Sequence, residues 1–290
     1  MKKLQSVKII FAVFVMVMAF FITGSTSQAA TKSDKLTLYV GEQLGYSYIG
    51  MGTLKSAKSS NKKVVTASKK NGSCIMKAEK TGKATVTAKG SKGTWKHNIT
   101  VKKADFQVDI VPIAGTRYGQ VSVKNNTSGF FTSFDVLVTF NDANGNKIYE
   151  SSAYVRYVGK KQTGYDEVYL GSDIEAIDWS KTTYTLSFSR SVDQKYKNYA
   201  KKVSFKESSG TNNNNNPCID IKAKTSYKGK GSIYIAYDVF YYNAAGNLVS
   251  ISNYISTLSK YSKSSTISIP MAYNAASYKI KKRVILAEYK

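Results

Sequence analysis

The chain has 290 residues and only one histidine, His97, two cysteines, three prolines, and 18 acidic residues against 43 basic ones. Each shortage excludes something. A lone histidine removes every multi-histidine metal site, and no metal or other cofactor is expected. Cys74 and Cys218 are too few for a disulfide scaffold, so both are expected to be unpaired, with Cys74 buried in a strand. Three prolines exclude collagen-like and proline-rich architecture. Only 4 of the basic residues are arginine. That disfavours specific nucleic-acid recognition, which draws on the planar, bidentate guanidinium. What the chain does have is tyrosine, 22 residues of it, with many Thr, Ser and Val. That composition favours strands over helices.

Long apolar runs are also scarce. The one present, Ile9 to Ile22, follows Lys2, Lys3 and Lys8 and precedes small polar residues ending in Ser27-Gln28-Ala29. A basic end, a short apolar core and a small-residue site are the layout of a secretory signal peptide. Residues 1–29 are expected to be a leader removed after Ala29, with no transmembrane span remaining. Fourteen apolar residues are short for a span of about twenty. No cysteine follows the apolar core, so a lipoprotein is not expected. No Leu-Pro-x-Thr-Gly sorting motif occurs, so covalent wall attachment is not expected either.

Residues 30–103 read as short strands separated by Gly, Asn and Lys turns. Leu36, Leu38 and Val40 share a face, as do Cys74, Met76 and Ala78, then Ala84, Val86 and Ala88, then Ile99 and Val101. Period-two alternation with frequent turns predicts a small antiparallel sandwich. Four segments then resemble the bacterial Ig-like group 2 family: Leu36 to Glu42, Lys58 to Val65, Ala78 to Ala88, and Asn98 to Val101. The resemblance covers about seventy residues and implies a surface-protein building block with no catalytic residues to carry over. The family places a tryptophan where this chain has Ala57, so Trp95 is the residue expected to fill that part of the core.

Residues 104–207 predict a second sandwich. Its clearest strand carries Phe134, Val136, Val138 and Phe140 on one face, followed by the turn Asn141-Asp142-Ala143-Asn144-Gly145-Asn146. Asn-Gly between alternating runs is a strong hairpin signal. Shifted by 101 residues, Ile235, Tyr237, Val239 and Tyr241 repeat the face, and Asn243 to Asn247 repeats the turn. Residues 218–290 are therefore expected to duplicate the second domain. Both resemble FxLYD-type extracellular β domains. The polar run 208–217, with five asparagines, is expected to be a flexible linker between them. The fold class is all-β: tandem Ig-like sandwiches behind a leader.

Asp142 to Asn146 superficially resembles a calcium loop, but glycine and glutamate are misplaced for an EF-hand and a hairpin turn is expected. Asp166, Glu167, Asp173, Glu175 and Asp178 read as a solvated acidic face rather than a catalytic pair or cation site. A Cys218–His97 catalytic pair lacks a third, orienting group. The tyrosines of the third domain are more suggestive. By parity Tyr237 and Tyr241 face one way, Tyr234 and Tyr242 the other, and Tyr254 lies on the neighbouring strand. Tyr234, Tyr242 and Tyr254 are the candidate ligand-binding residues, able to stack on a sugar or meet a protein if exposed.

The charge of +25 is uneven. Residues 30–103 hold 16 Lys and 3 acids, a net +13; residues 104–207 come to +1 and residues 208–290 to +8. A lysine-rich exported chain is expected to associate with an anionic wall polymer, acidic polysaccharide or lipid surface, the alternative being that the lysines only keep sandwich edges soluble and unpaired. The expected function is non-catalytic binding or adhesion at the surface of a Gram-positive-like bacterium, secreted or loosely wall-associated. The alternative is a receptor for a host or extracellular glycan or protein that uses the third-domain tyrosines.

Overall fold

The computed structural model describes residues 31–190, 194–211 and 215–289. The expected leader, 1–29, lies outside them. Among the described residues, twenty strands and two short 3-10 turns make an all-β fold of tandem Ig-like sandwiches. Among the described residues no helix is long and apolar enough to cross a membrane.

The first sandwich contains β1 (Thr31–Tyr39), β2 (Gln43–Tyr46), β3 (Leu54–Ser59), β4 (Val65–Lys70), β5 (Ser73–Ala78), β6 (Gly82–Gly90) and β7 (Thr94–Lys102). One sheet has the order β1-β7-β6-β3 and the other β2-β5-β4. β1 runs parallel to β7, and the remaining pairs are antiparallel. The alternating apolar residues meet in one core, with Leu38, Val65, Cys74, Met76, Val86 and Ala88 fully buried. Trp95 packs against this core, as does Ala57. Gly90 lets β6 pass Met51: an added Cβ would lie 2.3 Å from the Met51 carbonyl oxygen. Residues 187–190 group with this unit. There Arg190 Nε donates to Glu42 Oε1 at 2.8 Å, and burial raises the Glu42 carboxyl against the pull of that guanidinium.

The second compact unit holds residues 106–186 and the described part of 193–290. Its first sandwich contains β8 (Phe106–Pro112), β9 (Tyr118–Asn125), β10 (Phe131–Asn141), β11 (Lys147–Val158), β12 (Thr163–Tyr169) and β13 (Thr183–Ser189). Its second contains β14 (Gln194–Asn198), β15 (Val203–Thr211), β16 (Pro217–Thr225), β17 (Gly231–Tyr242), β18 (Leu248–Ser259), β19 (Ser264–Pro270) and β20 (Ser277–Tyr289). The sheets are β11-β10-β13 with β12-β9-β8, and β14-β20-β17-β18 with β15-β16-β19.

This pairing corrects the expected linker. β15 pairs antiparallel with β16 from Val203↔Thr225 to Thr211↔Pro217, and β14 pairs with β20. The asparagine run therefore connects two strands of one sheet, and residues 194–211 belong to the third sandwich. A polar tract that cannot bury apolar surface serves a hairpin loop as well as a linker, so composition did not distinguish them. The charge division changes with the boundary. Residues 106–189 hold 7 basic and 9 acidic residues, so the second sandwich is slightly negative.

The two hairpins β10–β11 and β17–β18 match in detail. Each register slips at the same place, between Phe140 and Asn141 and between Tyr241 and Tyr242. Each turn is closed by paired backbone bonds, Asp142 N to Asn146 O and Asn243 N to Asn247 O, both at 2.9 Å. The Asp142 and Asn243 side-chain oxygens accept from the backbone two and four residues on. Gly145 and Gly246 take φ of +86° and +79°, the left-handed conformation such turns require.

Candidate functional site

The first sandwich carries an unusual outer face. The inward residues of β1, β6 and β7 are apolar apart from Asp34, Lys32 and His97, and alternation sends the remaining polar ones outward in cross-strand rows. The registers define four of them. Thr37 lies beside Thr100 and Lys83; Lys35 beside Asn98 and Thr85; Ser33 beside Lys96, Thr87 and Lys58; Thr31 beside Thr94, Lys89 and Ser56. Every row contains a lysine and none contains an acid. Lys35, Lys58, Lys83, Lys89 and Lys96 are all exposed. None of the five enters an ion pair among the described residues.

Part of this face is concave. A groove of about 590 Å³ is lined by Lys35, Thr37, Ser60, Lys83, Thr85, Asn98 and Thr100, with the backbone of the intervening apolar residues beneath. Its polar floor is held by its own bonds. Thr85 Oγ1 donates to Asn98 Oδ1 at 3.2 Å, Asn98 Nδ2 donates to the Asp34 carbonyl at 3.2 Å, and the Ser60 hydroxyl accepts from Thr85 N at 2.8 Å. Hydroxyls and an amide lie between two free ammonium groups. That combination suits an anion's oxygens, offering charge and hydrogen bonds together.

The opposite sheet of the same sandwich differs. Its Lys77 pairs with Glu79 at 3.0 Å, and Glu79 also accepts from Thr66. Lys69 and Lys70 on β4 enter no ion pair among the described residues either, so what sets the β1-β7-β6-β3 face apart is its succession of lysine-bearing rows without an acid.

The tyrosines expected to bind a ligand are not free. Tyr237 and Tyr241 are fully buried in the core of the third sandwich, with hydroxyls bonded to Ser256 and the Pro270 carbonyl. Burial raises both phenols. Tyr234 is half-buried and stacks on Tyr157 of the second sandwich, ring centroids 4.7 Å apart at 9°. Tyr242 is half-buried against a small cluster of Ile113, Phe240 and Ile251. Tyr254 lies opposite Tyr237 and packs at the core's edge. One face of β17 is covered by its own sandwich and the other by the second sandwich. The tyrosines that parity sends away from the core are half-buried, because two sandwiches share one compact unit.

The seam between them is polar as well as aromatic. Arg283, 5% exposed, pairs with the fully buried Asp238 and donates to the carbonyls of Arg156, Tyr157 and Thr163. Burial lowers the guanidinium to about 10. Glu167 accepts from Ser250 Oγ and Ile251 N, both at 2.9 Å. Asp166 accepts from Tyr154 N at 2.7 Å, and burial raises its carboxyl to about 6. Asp166 and Glu167, two of the five acids read as a solvated face, are thus engaged in structure. Groups of acids, cysteines or histidine able to hold a metal are absent among the described residues.

A hydrogen-bonded chain in the first sandwich was missed. His97 is fully buried; its Nδ1 lies 2.8 Å from Asp34 Oδ1 and its Nε2 2.7 Å from the Tyr48 hydroxyl. Trp95 Nε1 donates to the second Asp34 oxygen, and Tyr46, Tyr48 and Trp95 surround the imidazole. Burial pushes the adjacent Cys74 thiol up to about 11 and raises the Tyr48 phenol further. Cys74 therefore stays a thiol, which is a poor nucleophile. Only the parallel pairing of β1 with β7, which sets Asp34 beside His97, brings residues 63 apart into contact. Cys218 lies in the other unit, 4% exposed, with its thiol raised by burial and by Asp220.

No family model matches the chain, and no curated protein matches it. Among solved structures it is similar to two three-domain tandems of titin. One is the I9–I11 tandem, at 11% identity over 90% of this chain and 97% of that one, with a TM-score of 0.20. The other is a variant of domains I67–I69, at 12% identity over 89% and 94%, with a TM-score of 0.18. Likeness at this level carries no argument about function.

Proposed function

We propose that the protein is a non-catalytic extracellular binding module that attaches to anionic polymers of the cell wall or matrix. The observation that carries this reading is the outer face of β1-β7-β6-β3, with five exposed lysines, a polar groove and no acid. Charge favours attachment through the first domain, which is +13, whereas the second sandwich is slightly negative. The leader-like residues 1–29 favour export, and the four segments resembling the bacterial Ig-like group 2 family favour a surface role. The glycan- or protein-receptor alternative is the second reading, since Tyr234, Tyr242 and Tyr254 are half-buried and offer only part of each ring.

Co-sedimentation of the full chain with purified cell walls across a salt series tests the reading. Binding should weaken steeply between about 50 and 200 mM salt, as polyelectrolyte contacts do. Absent binding, or binding indifferent to salt, overturns it.

A further inference from the structure

We infer that the groove face takes a linear phosphodiester polymer lying along β6 and β7, with successive phosphates meeting successive cross-strand rows. This inference rests on the proposed function and names the ligand class. Rows on one face are two residues apart, so lysines recur at about 7 Å along the strand direction. Lys83, Lys35, Lys96 with Lys58, and Lys89 supply the four rows in order. Strands are about 4.8 Å apart, so a chain centred over β6 and β7 has Lys35 one strand to one side and Lys58 one strand to the other. All five ammonium groups reach that line on flexible four-carbon stems.

A phosphodiester of a short polyol repeats every six backbone bonds. Six bonds of extended chain span about 7 Å, as two residues of polypeptide do. Its charge period therefore matches the rows. An acidic polysaccharide with one carboxylate per disaccharide spaces its charges more widely and would miss alternate rows. Between the lysines, the second Asn98 amide proton and the Thr100 hydroxyl offer donors to phosphate and polyol oxygens. A single-stranded nucleic acid has a comparable phosphate spacing, but its binding sites add aromatic side chains on which bases stack. None of the row residues is aromatic, so this face offers nothing to a base.

The test measures affinity of the full chain for poly(glycerol phosphate), for a polysaccharide of equal total charge with one carboxylate per disaccharide, and for a single-stranded oligonucleotide of equal phosphate number. Two variants are compared. One neutralises the face, K35Q/K58Q/K83Q/K89Q/K96Q. The other neutralises five lysines elsewhere in the same sandwich, K62Q/K63Q/K69Q/K70Q/K80Q. Both carry the same net charge, and circular dichroism checks that each folds. The wild type should bind the polyol phosphate at least tenfold tighter than either competitor. The face variant should lose at least tenfold of that affinity and several units of salt slope, while the control should lose less than threefold. Equal loss in both variants overturns the site. Equal or tighter binding of the polysaccharide or the oligonucleotide overturns the ligand class and leaves wall attachment standing. Failure of the wild type to bind walls at all removes the underlying reading instead.

Discussion

The hairpins β10–β11 and β17–β18 have one pattern and two fates. Their inward faces correspond, Phe134, Val136, Val138 and Phe140 against Ile235, Tyr237, Val239 and Tyr241, and all eight residues are buried. Their turns and bulges correspond too. The outer faces do not. On β10, Asp135, Leu137 and Thr139 remain partly exposed. On β17, Ala236, Asp238 and Phe240 are buried beneath the second sandwich. A strand covered on both sides ordinarily reads as a continuous apolar run. β17 comes close, and its one charged member, Asp238, has Arg283 as partner. A repeated hairpin thus became a docking face through changes on a single side.

That comparison can be broken most severely at its charged centre. Asp238→Leu leaves Arg283 buried without its carboxylate and should cost about 3–5 kcal/mol. Trp179 reports on this unit in a Trp95→Phe background, and its urea transition measures the loss. Replacing both partners, D238L/R283M, should recover most of it, because an apolar pair avoids desolvating charge. Leu137→Ala, at the matching position of β10, should cost about 1 kcal/mol. Equal costs at the two positions would show that the faces are not energetically distinct.

A second test uses pH. The folded carboxyl of Asp166 is raised to about 6 from an ordinary value near 4. Between these values the folded state holds the proton more tightly than the unfolded chain. Its stabilising contribution is therefore full below about pH 4 and lost as pH rises through about 6. The stability difference between wild type and Asp166→Asn should fall by about 2 kcal/mol over that window. Denaturant midpoints at pH 4 and pH 7 measure it. The related run in the third sandwich, Ser264–Pro270, has no carboxylate and should contribute no such dependence. A flat difference would mean that Asp166 is ordinarily solvated.

The smallest effects sharpen the aromatic part of the seam. Tyr157→Ala or Tyr234→Ala removes a half-buried stacked ring and should cost about 1–2 kcal/mol. Tyr154→Ala, on the exposed face of β11, should cost about 0.5 kcal/mol. A double-mutant cycle on Tyr157 and Tyr234 should return a coupling of about 1 kcal/mol, and zero coupling would reduce the stack to mere proximity.

Much of this was legible because strands alternate. Parity placed Leu38, Met76, Val86 and Ile99 in one core and put Tyr237 and Tyr241 on the same side. It also sent Lys35, Lys83 and Lys96 outward, although nothing local said that they share one sheet. The 101-residue shift located matching turns down to the residues that close them. Sheet partners at long range were not legible. The asparagine run looked like a linker because the pairing of β15 with β16 has no local signature. Asp34, Tyr48 and His97 carried no sign of their meeting, since polar residues in strands such as Asp34 and His97 usually face solvent and Tyr48 lies in the segment after β2.

The sequence by itself determined the all-β class, the inward faces, the hairpin turns and the uneven distribution of lysine. Each follows from short-range physics: period-two alternation, turn conformations open to glycine and asparagine, and composition. The tertiary structure decided which faces are covered. It turned tyrosines that parity left outside into a seam, and it gathered lysines from four strands onto one acid-free face. Cross-strand register and domain packing join residues distant in the chain, and neither leaves a periodic mark along it.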